Sequence, residues 1–312
     1  MQTPEIGGAV ALAAFLEATV RVATPLGLAA LGETVTERSG VINVGLEGAM
    51  LAGALAAALG ALGLGGAWGG LAAAALAGAA IAALFALVAV RMGGDQIVAG
   101  TAITLGAIGL TGAVYRAAFG ATGAALSLPT FAPLRVPGLA SLPLIGPALF
   151  DQPAPTYLLF VAVPCAWYVL ARMNLGLSLR AAGEAPAAAA AAGLDVRRLR
   201  LGATVFGGMM GGIAGGALVL AQAGTFAEKM TAGRGFIAIA IVVLGRWNPL
   251  GAFAAALVFG AASALQFAFQ AAGLEVPYQF FLMAPYGLTL LALAGVGGRV
   301  RAPAGLGKNY EA

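Results

Sequence analysis

The sequence predicts an all-α fold, a polytopic bundle of membrane-spanning helices. Hydrophobic residues fill 61% of the 312 positions and charged residues only 9%, where soluble domains carry roughly 25% charge. Mean hydropathy is +0.96. Several nearly uncharged runs reach the ~20 residues that cross ~30 Å of hydrocarbon. The 48 glycines fit the same picture. In lipid, small residues let helix backbones approach closely enough for dispersion to accumulate.

The candidate spans are nine: 8–31, 41–62, 67–90, 97–119, 156–172, 201–223, 235–246, 249–273 and 278–297. All belong to one transmembrane domain over residues 1–312. The seventh has 12 residues, near ~18 Å at the helical rise. It is either a half-helix buried in protein or a span completed by residues 225–234. Between spans four and five, residues 120–155 carry seven prolines. They read as an irregular external segment holding at most a short surface or re-entrant helix.

Charge sets the orientation. With the 173–200 loop inside, the cytoplasmic side holds Arg38, Arg91, Arg172, Arg180, Arg197, Arg198, Arg200, Arg246, Arg299, Arg301 and Lys308. The external side holds Arg116, Arg135, Lys229 and Arg234. That excess follows the positive-inside rule. It predicts an external N-terminus, a cytoplasmic C-terminus and a full crossing at 235–246. No basic n-region precedes the first apolar run, so that run is not read as a cleavable signal peptide. The net charge of +4 is then a membrane signature, with no nucleic-acid partner implied.

Polar residues inside apolar runs are expensive and informative. Glu17 and Arg21 lie four apart on one helical face, as a cavity-facing pair or an interfacial one. In "ERSGVINVGLEGAMLAGA", Gly40, Gly45 and Gly48 interrupt an apolar run that also holds Asn43 and Glu47. Glycine costs about 1 kcal/mol in a helix interior, so this reads as a broken or closely approached helix. Broken helices in transporters place freed backbone groups beside a substrate path. Asn43 and Glu47 are candidates for that path, and inter-helix hydrogen bonding is the other reading. Gln96, Gln222, Gln266 and Gln270 are further path candidates, because an amide binds hydroxyls or base edges without the cost of a charge. They serve equally as glue between helices, as do Thr101 and Thr104.

Enzyme chemistry finds no footing. The chain has no histidine and one cysteine, Cys165, within an apolar run. That predicts no disulfide framework, no metal site and no catalytic residue. No zinc-protease helix or nucleophile elbow is present. "APAGLGKN" at 302–309 approaches a phosphate-binding loop but lacks its first glycine and its hydroxyl residue. Any energy coupling must come from another chain. A stand-alone secondary transporter or channel is the alternative, with Glu47 its best carboxylate for a coupling ion.

One stretch remains, "NLGLSLRAAGEAPAAAAAAGLDVRRLR". It is polar, alanine-packed and bracketed by Gly183 and Gly193. Alanines permit close approach into a groove, and Gly193 lets the chain turn after a helix. An amphipathic helix lying on the bilayer is the competing reading, but its apolar face would be mostly alanine.

This stretch resembles the cytoplasmic EAA-type loop of ABC-transporter membrane subunits. Pro186, Ala187 and Ala188 fall on that family's E-A-A triplet and Gly193 on its glycine. The triplet's glutamate is replaced by Pro186, with Glu184 two residues earlier. "RSGVINVGLEGAMLAGA" and "AGRGFIAIAIVVLGRWNPLGA" look like the permeases for branched-chain amino acids, ribose-type sugars and nucleosides. "LGETVTERSGVINVGLEGAM" and "LGRWNPLGA" are most similar to the simple-sugar and purine-nucleoside branch. The resemblance implies an importer-type bundle of about eight to ten helices in the inner membrane. It implies docking of an ATPase through Gly183, Glu184, Pro186, Ala187, Ala188 and Gly193, with the 183–193 helix as a rigid lever. It further implies that ATP and Mg²⁺ are bound by the partner ATPase, with no cofactor in this chain. A second, related permease and an extracytoplasmic substrate-binding lipoprotein complete the expected assembly. The expected cargo is a nucleoside, with a simple sugar next.

Overall fold

The computed structural model describes residues 4–120, 127–271 and 302–309, together with Met283, Gly287 and Leu290. The chain is an all-α, multi-pass bundle. Among the described residues, six helices are long and apolar enough to cross a membrane. The ninth expected span, 278–297, lies outside the described residues apart from those three positions.

Helix α1 (Pro4–Arg38) is 35 residues long. It continues seven residues past the expected boundary at 31, because the polar run Glu33–Arg38 stays helical inside protein. Helix α2 (Leu46–Gly63) follows a buried corner, and α3 (Ala67–Ala86) runs on through a π turn, Leu87–Arg91. Asp95 then caps α4 (Gln96–Phe119), its Oδ1 accepting the N–H groups of Ile97 and Val98 at 2.9 Å each. That satisfies two of the donors a helix start leaves open.

Within the expected irregular 120–155 segment, the described residues 127–155 hold short regular elements. Strand β1 (Pro133–Arg135) pairs antiparallel with β2 (Asp151–Pro153), and α5 (Ile145–Phe150) sits between them. The segment packs back on the bundle, since α5 lies against α1. Helix α6 (Ala154–Arg172) then leads to α7 (Asn174–Glu184) and α8 (Pro186–Ala191). The expected continuous 183–193 helix is therefore broken. Ala185 has φ −143° and ψ 74°. Pro186 disfavours the helical region for the residue before it and restarts the helix at its own N1 position.

Helix α9 (Val196–Ala217), extended by a π turn at Leu218–Ala223, is the centre of the bundle. Its most apolar window is 83% buried, against 28–39% for the windows in α1, α3, α4 and α6. Glycine makes this possible. A Cβ on Gly212 would stand 2.1 Å from the carbonyl oxygen of Ala74, and one on Gly215 would stand 1.9 Å from that of Met50. Gly78, on α3, meets the backbone of Gly208 and Gly212 from the other side. The α9 seam against α2 and α3 is backbone on backbone, as expected where lipid gives apolar side chains no preference for the interior.

The last described helices are α10 (Arg234–Leu244) and α11 (Pro249–Ala271). Helix α11 runs antiparallel to α1, with Gly260 against Thr19 and Ala23, and Gly27 against Ala256. Helix α10 has 11 residues, about 17 Å. Yet the chain does traverse the bundle here. Gln222 bonds the backbone of Arg21, while Trp247 bonds Arg38, two α1 positions ~25 Å apart along the axis. The irregular run 224–233 covers the first part of the distance and α10 the rest.

Candidate functional site

Two corners of the fold gather the polar residues. The first lies between α1 and α2. Backbone turns at Ser39 and Gly40 end α1, and Gly40 adopts φ +96°. The strand-like run after it is held from two sides. Gln96 Oε1 accepts the N–H of Ile42 at 2.8 Å, and Glu33 Oε1 accepts the N–H of Asn43 at 2.8 Å. Thr104 Oγ1 donates to the carbonyl of Val44 at 3.3 Å. These bonds take up backbone groups that a broken membrane helix would otherwise leave unsatisfied.

Glu47, in the first turn of α2, reaches across to α10. Its Oε1 accepts from Thr231 Oγ1 at 2.6 Å and from the N–H of Gly233 at 2.9 Å. Its Oε2 accepts the N–H of Gly235 at 2.6 Å. A buried carboxylate is tolerated when charged hydrogen bonds and the positive end of a helix meet it. Glu47 thus sets both carboxylate oxygens against the start of α10. Lys229 and Ala232 adopt φ +58° and +46° in the preceding loop. Strain of that kind persists only where surrounding contacts over-determine it.

At the far end of α10 the chain turns through Arg246 and Trp247, both at positive φ. The Trp247 indole N–H donates to Glu37 Oε2, and Arg38 Nε donates to the Trp247 carbonyl at 2.7 Å. Four buried side-chain atoms in this corner have no partner among the described residues: Glu33 Oε2, Glu37 Oε1, and both polar atoms of the Asn43 amide.

The second corner holds the docking candidates. Gly183 is buried against α1, where a Cβ would stand 2.2 Å from the Arg38 carbonyl oxygen. Glu184 is exposed, and its Oε2 accepts the N–H of Ala304 at 3.2 Å. Ala187, Ala188 and Gly193 are exposed, while Pro186 is half-buried. Gly193 has φ +85° and no neighbour within 4 Å of a built Cβ, so conformation and not crowding calls for glycine there.

Asn43, Glu47 and Gln96 thus come together at one corner. Gln222 does not join them. It is exposed at the opposite end, where Nε2 donates to the Arg21 carbonyl at 2.6 Å. Arg21 also pairs there with Glu17. The side chains of Gln266 and Gln270 lie outside the described residues. Glu33, Glu37, Thr231, Gly235 and Trp247 complete the first corner and were not singled out from sequence. The available signal was Glu33 and Glu37, two carboxylates one turn apart in an apolar chain.

Residues 15–293 match the family described as branched-chain amino acid transport system / permease component. The chain belongs to that permease family. It is 37% identical to the guanosine ABC transporter permease protein NupQ of Bacillus subtilis, over 96% of this chain and 97% of that one. It is 36% identical to the nucleoside ABC transporter permease protein NupC of Lactococcus lactis, over 92% and 93% of the two chains. The putative glucose ABC transporter permease protein TsgC13 of Haloferax volcanii is 39% identical, over 85% and 80%. No solved structure matches the chain. Family membership places both corners in a multi-pass transport subunit.

Proposed function

We propose that this chain forms half of the translocation path of an ATP-driven importer for nucleosides. The observation that carries the substrate is the near end-to-end likeness to permeases named for guanosine and for nucleosides. A partner ATPase binds ATP and Mg²⁺ and docks on the exposed α7–α8 corner. A second, related permease supplies the other half of the path, and an extracytoplasmic lipoprotein delivers cargo. The Arg38 end of the bundle, with Arg91, Arg180, Arg197 and Arg198, faces the cytoplasm by the positive-inside rule. That puts the N-terminus outside and the C-terminus inside, in the inner membrane of a bacterial cell.

The path runs beside the first corner. Helix α10 is a half-helix whose start is held by Glu47, the device by which broken helices expose backbone near a transport route. Asn43 and Gln96 stand at the same corner. ATP-driven closure of the ATPase pair moves the α7–α8 corner, and the bundle passes from outward-open to inward-open. No covalent chemistry occurs in this chain.

A simple sugar is the second reading, favoured by the likeness to a putative glucose permease. The deciding experiment is reconstitution in proteoliposomes with the candidate ATPase, second permease and lipoprotein. Saturable, ATP-dependent guanosine uptake that excess glucose leaves unchanged is expected. Glucose uptake without guanosine uptake would favour the sugar reading. Uptake by the chain alone, without ATP, would overturn the importer itself.

A further inference from the structure

The 302–309 segment, APAGLGKN, has glycines reminiscent of a phosphate loop but lacks that loop's first glycine and hydroxyl residue. Its backbone is committed elsewhere. The N–H of Gly305 donates to the Gly183 carbonyl at 2.8 Å, and the N–H of Gly307 to the Gly40 carbonyl at 3.1 Å. Ala304 N–H reaches Glu184 Oε2, and Asn309 Nδ2 donates to the Gly93 carbonyl at 2.6 Å. One segment of eight residues therefore holds the end of α7, the α1–α2 turn and the α3–α4 turn.

Arg200 stands at the centre of these contacts. It is buried at the start of α9. Its Nε donates to the Ser39 carbonyl at 3.1 Å, its Nη1 to the Lys308 carbonyl at 2.8 Å and its Nη2 to the Ala182 carbonyl at 3.4 Å. A guanidinium has a rigid fork of donors and keeps its charge, so it can fix several carbonyls at once. Glycines stand beside these carbonyls: Gly40 after Ser39, Gly183 after Ala182, and Gly305 against Gly183. A Cβ on Gly40 would stand 2.6 Å from Arg200 Nη2, and one on Gly305 would stand 2.8 Å from the Gly183 carbonyl oxygen.

We infer that Arg200 and residues 302–309 form a clasp that carries force from the docking corner to the α1–α2 corner. The inference rests on the proposed docking of an ATPase at α7–α8. Because Ala185 breaks the helix, α8 is no rigid extension of α7. A push on α8 needs another route inward. The clasp spans the break: Ala304 and Gly305 bond Glu184 and Gly183 before it, a Cβ on Gly305 would stand 3.4 Å from Pro186 Cδ after it, and Gly307 joins them to Gly40. From Gly40 the corner leads through Asn43 to Glu47 and the start of α10. Arg200 is a positioning residue in this scheme and contacts no cargo.

The test uses the full complex in proteoliposomes and reads uptake per ATP hydrolysed. Gly305→Pro/Gly307→Pro deletes two backbone donors and, at Gly307 with its φ of +73°, also reshapes the loop that carries them. ATPase co-purification should persist and hydrolysis stay within twofold, while uptake per ATP falls at least tenfold. Arg200→Gln should do the same, and Arg200→Lys should recover part of the ratio. An unchanged ratio in Gly305→Pro/Gly307→Pro overturns the clasp. If that variant does not assemble, exposed Asn309→Ala decides. A fall of twofold or more in uptake per ATP supports the clasp, and a smaller change overturns it. If no ATPase associates with the unaltered chain, the docking reading falls and the clasp with it.

Discussion

The indole N–H of Trp247 donates to the carboxylate of Glu37 at 2.5 Å, across 210 positions of sequence. This bond ties the end of α10 to the end of α1. It is buried, so its two ends differ in what their removal costs. Trp247→Phe leaves a buried carboxylate oxygen without its donor. That is expected to cost about 1–3 kcal/mol. Replacing both partners by apolar residues should recover much of the loss. Thermal inactivation in detergent of Trp247→Phe and of Glu37→Leu/Trp247→Phe checks both statements.

Glu47 is expected to be more sensitive. Glu47→Ala strands Thr231 Oγ1 and the N–H groups of Gly233 and Gly235. ATP-dependent uptake should fall at least tenfold. Glu47→Gln keeps an acceptor but loses the charge that complements the α10 start, and should give an intermediate rate. Uptake equal to the unaltered chain in Glu47→Ala would show that α10 needs no anion at its start.

The glycine seam predicts a contrast within one helix. Gly212→Ala places a methyl group into the Ala74 carbonyl, whereas a Cβ on Gly202 meets nothing within 4 Å. The first change should cost about 1–3 kcal/mol or more through overpacking, read as lost monodisperse protein in size-exclusion chromatography. Gly202→Ala should express normally. Equal behaviour of the two would refute the close approach of α3 and α9.

The docking corner separates surface from conformation. Ala188 is exposed, so Ala188→Asp should leave folding intact and lower ATPase co-purification at least tenfold. Gly193→Pro demands a φ near −65° where the chain has +85°. It should lower docking and also shift the melting of the subunit. Full retention of the ATPase by both variants would place docking elsewhere.

Much of the bundle was legible in hydropathy. The expected spans 67–90 and 97–119 became Ala67–Arg91 and Gln96–Phe119, because Gly65–Gly66 and Gly93–Gly94–Asp95 punctuate them locally. The break at Ala185 was also written in the chain, as Pro186. Other features were not readable. The last turns of α1 are polar, and hydropathy ends the helix early because it has no knowledge of Trp247 or Asn43. Glu47 was visible as an anomaly, but its partners sit 184 to 188 positions away. Arg200 is, in sequence, one more positive-inside arginine, and its role depends on three backbone carbonyls far apart in the chain.

The composition of α9 has a consequence for biogenesis. Gly207, Gly208, Gly211, Gly212, Gly215 and Gly216 each disfavour helix by about 1 kcal/mol against alanine. Alone in a translocon, such a segment is a reluctant helix with little side-chain surface to offer lipid. Its receiving surfaces, α1, α2 and α3, are synthesised before it. The order of the polypeptide is thus also an order of insertion, in which the scaffold arrives first and the glycine helix threads into a groove already built. A permuted chain that made α9 first would ask it to enter the bilayer without that groove.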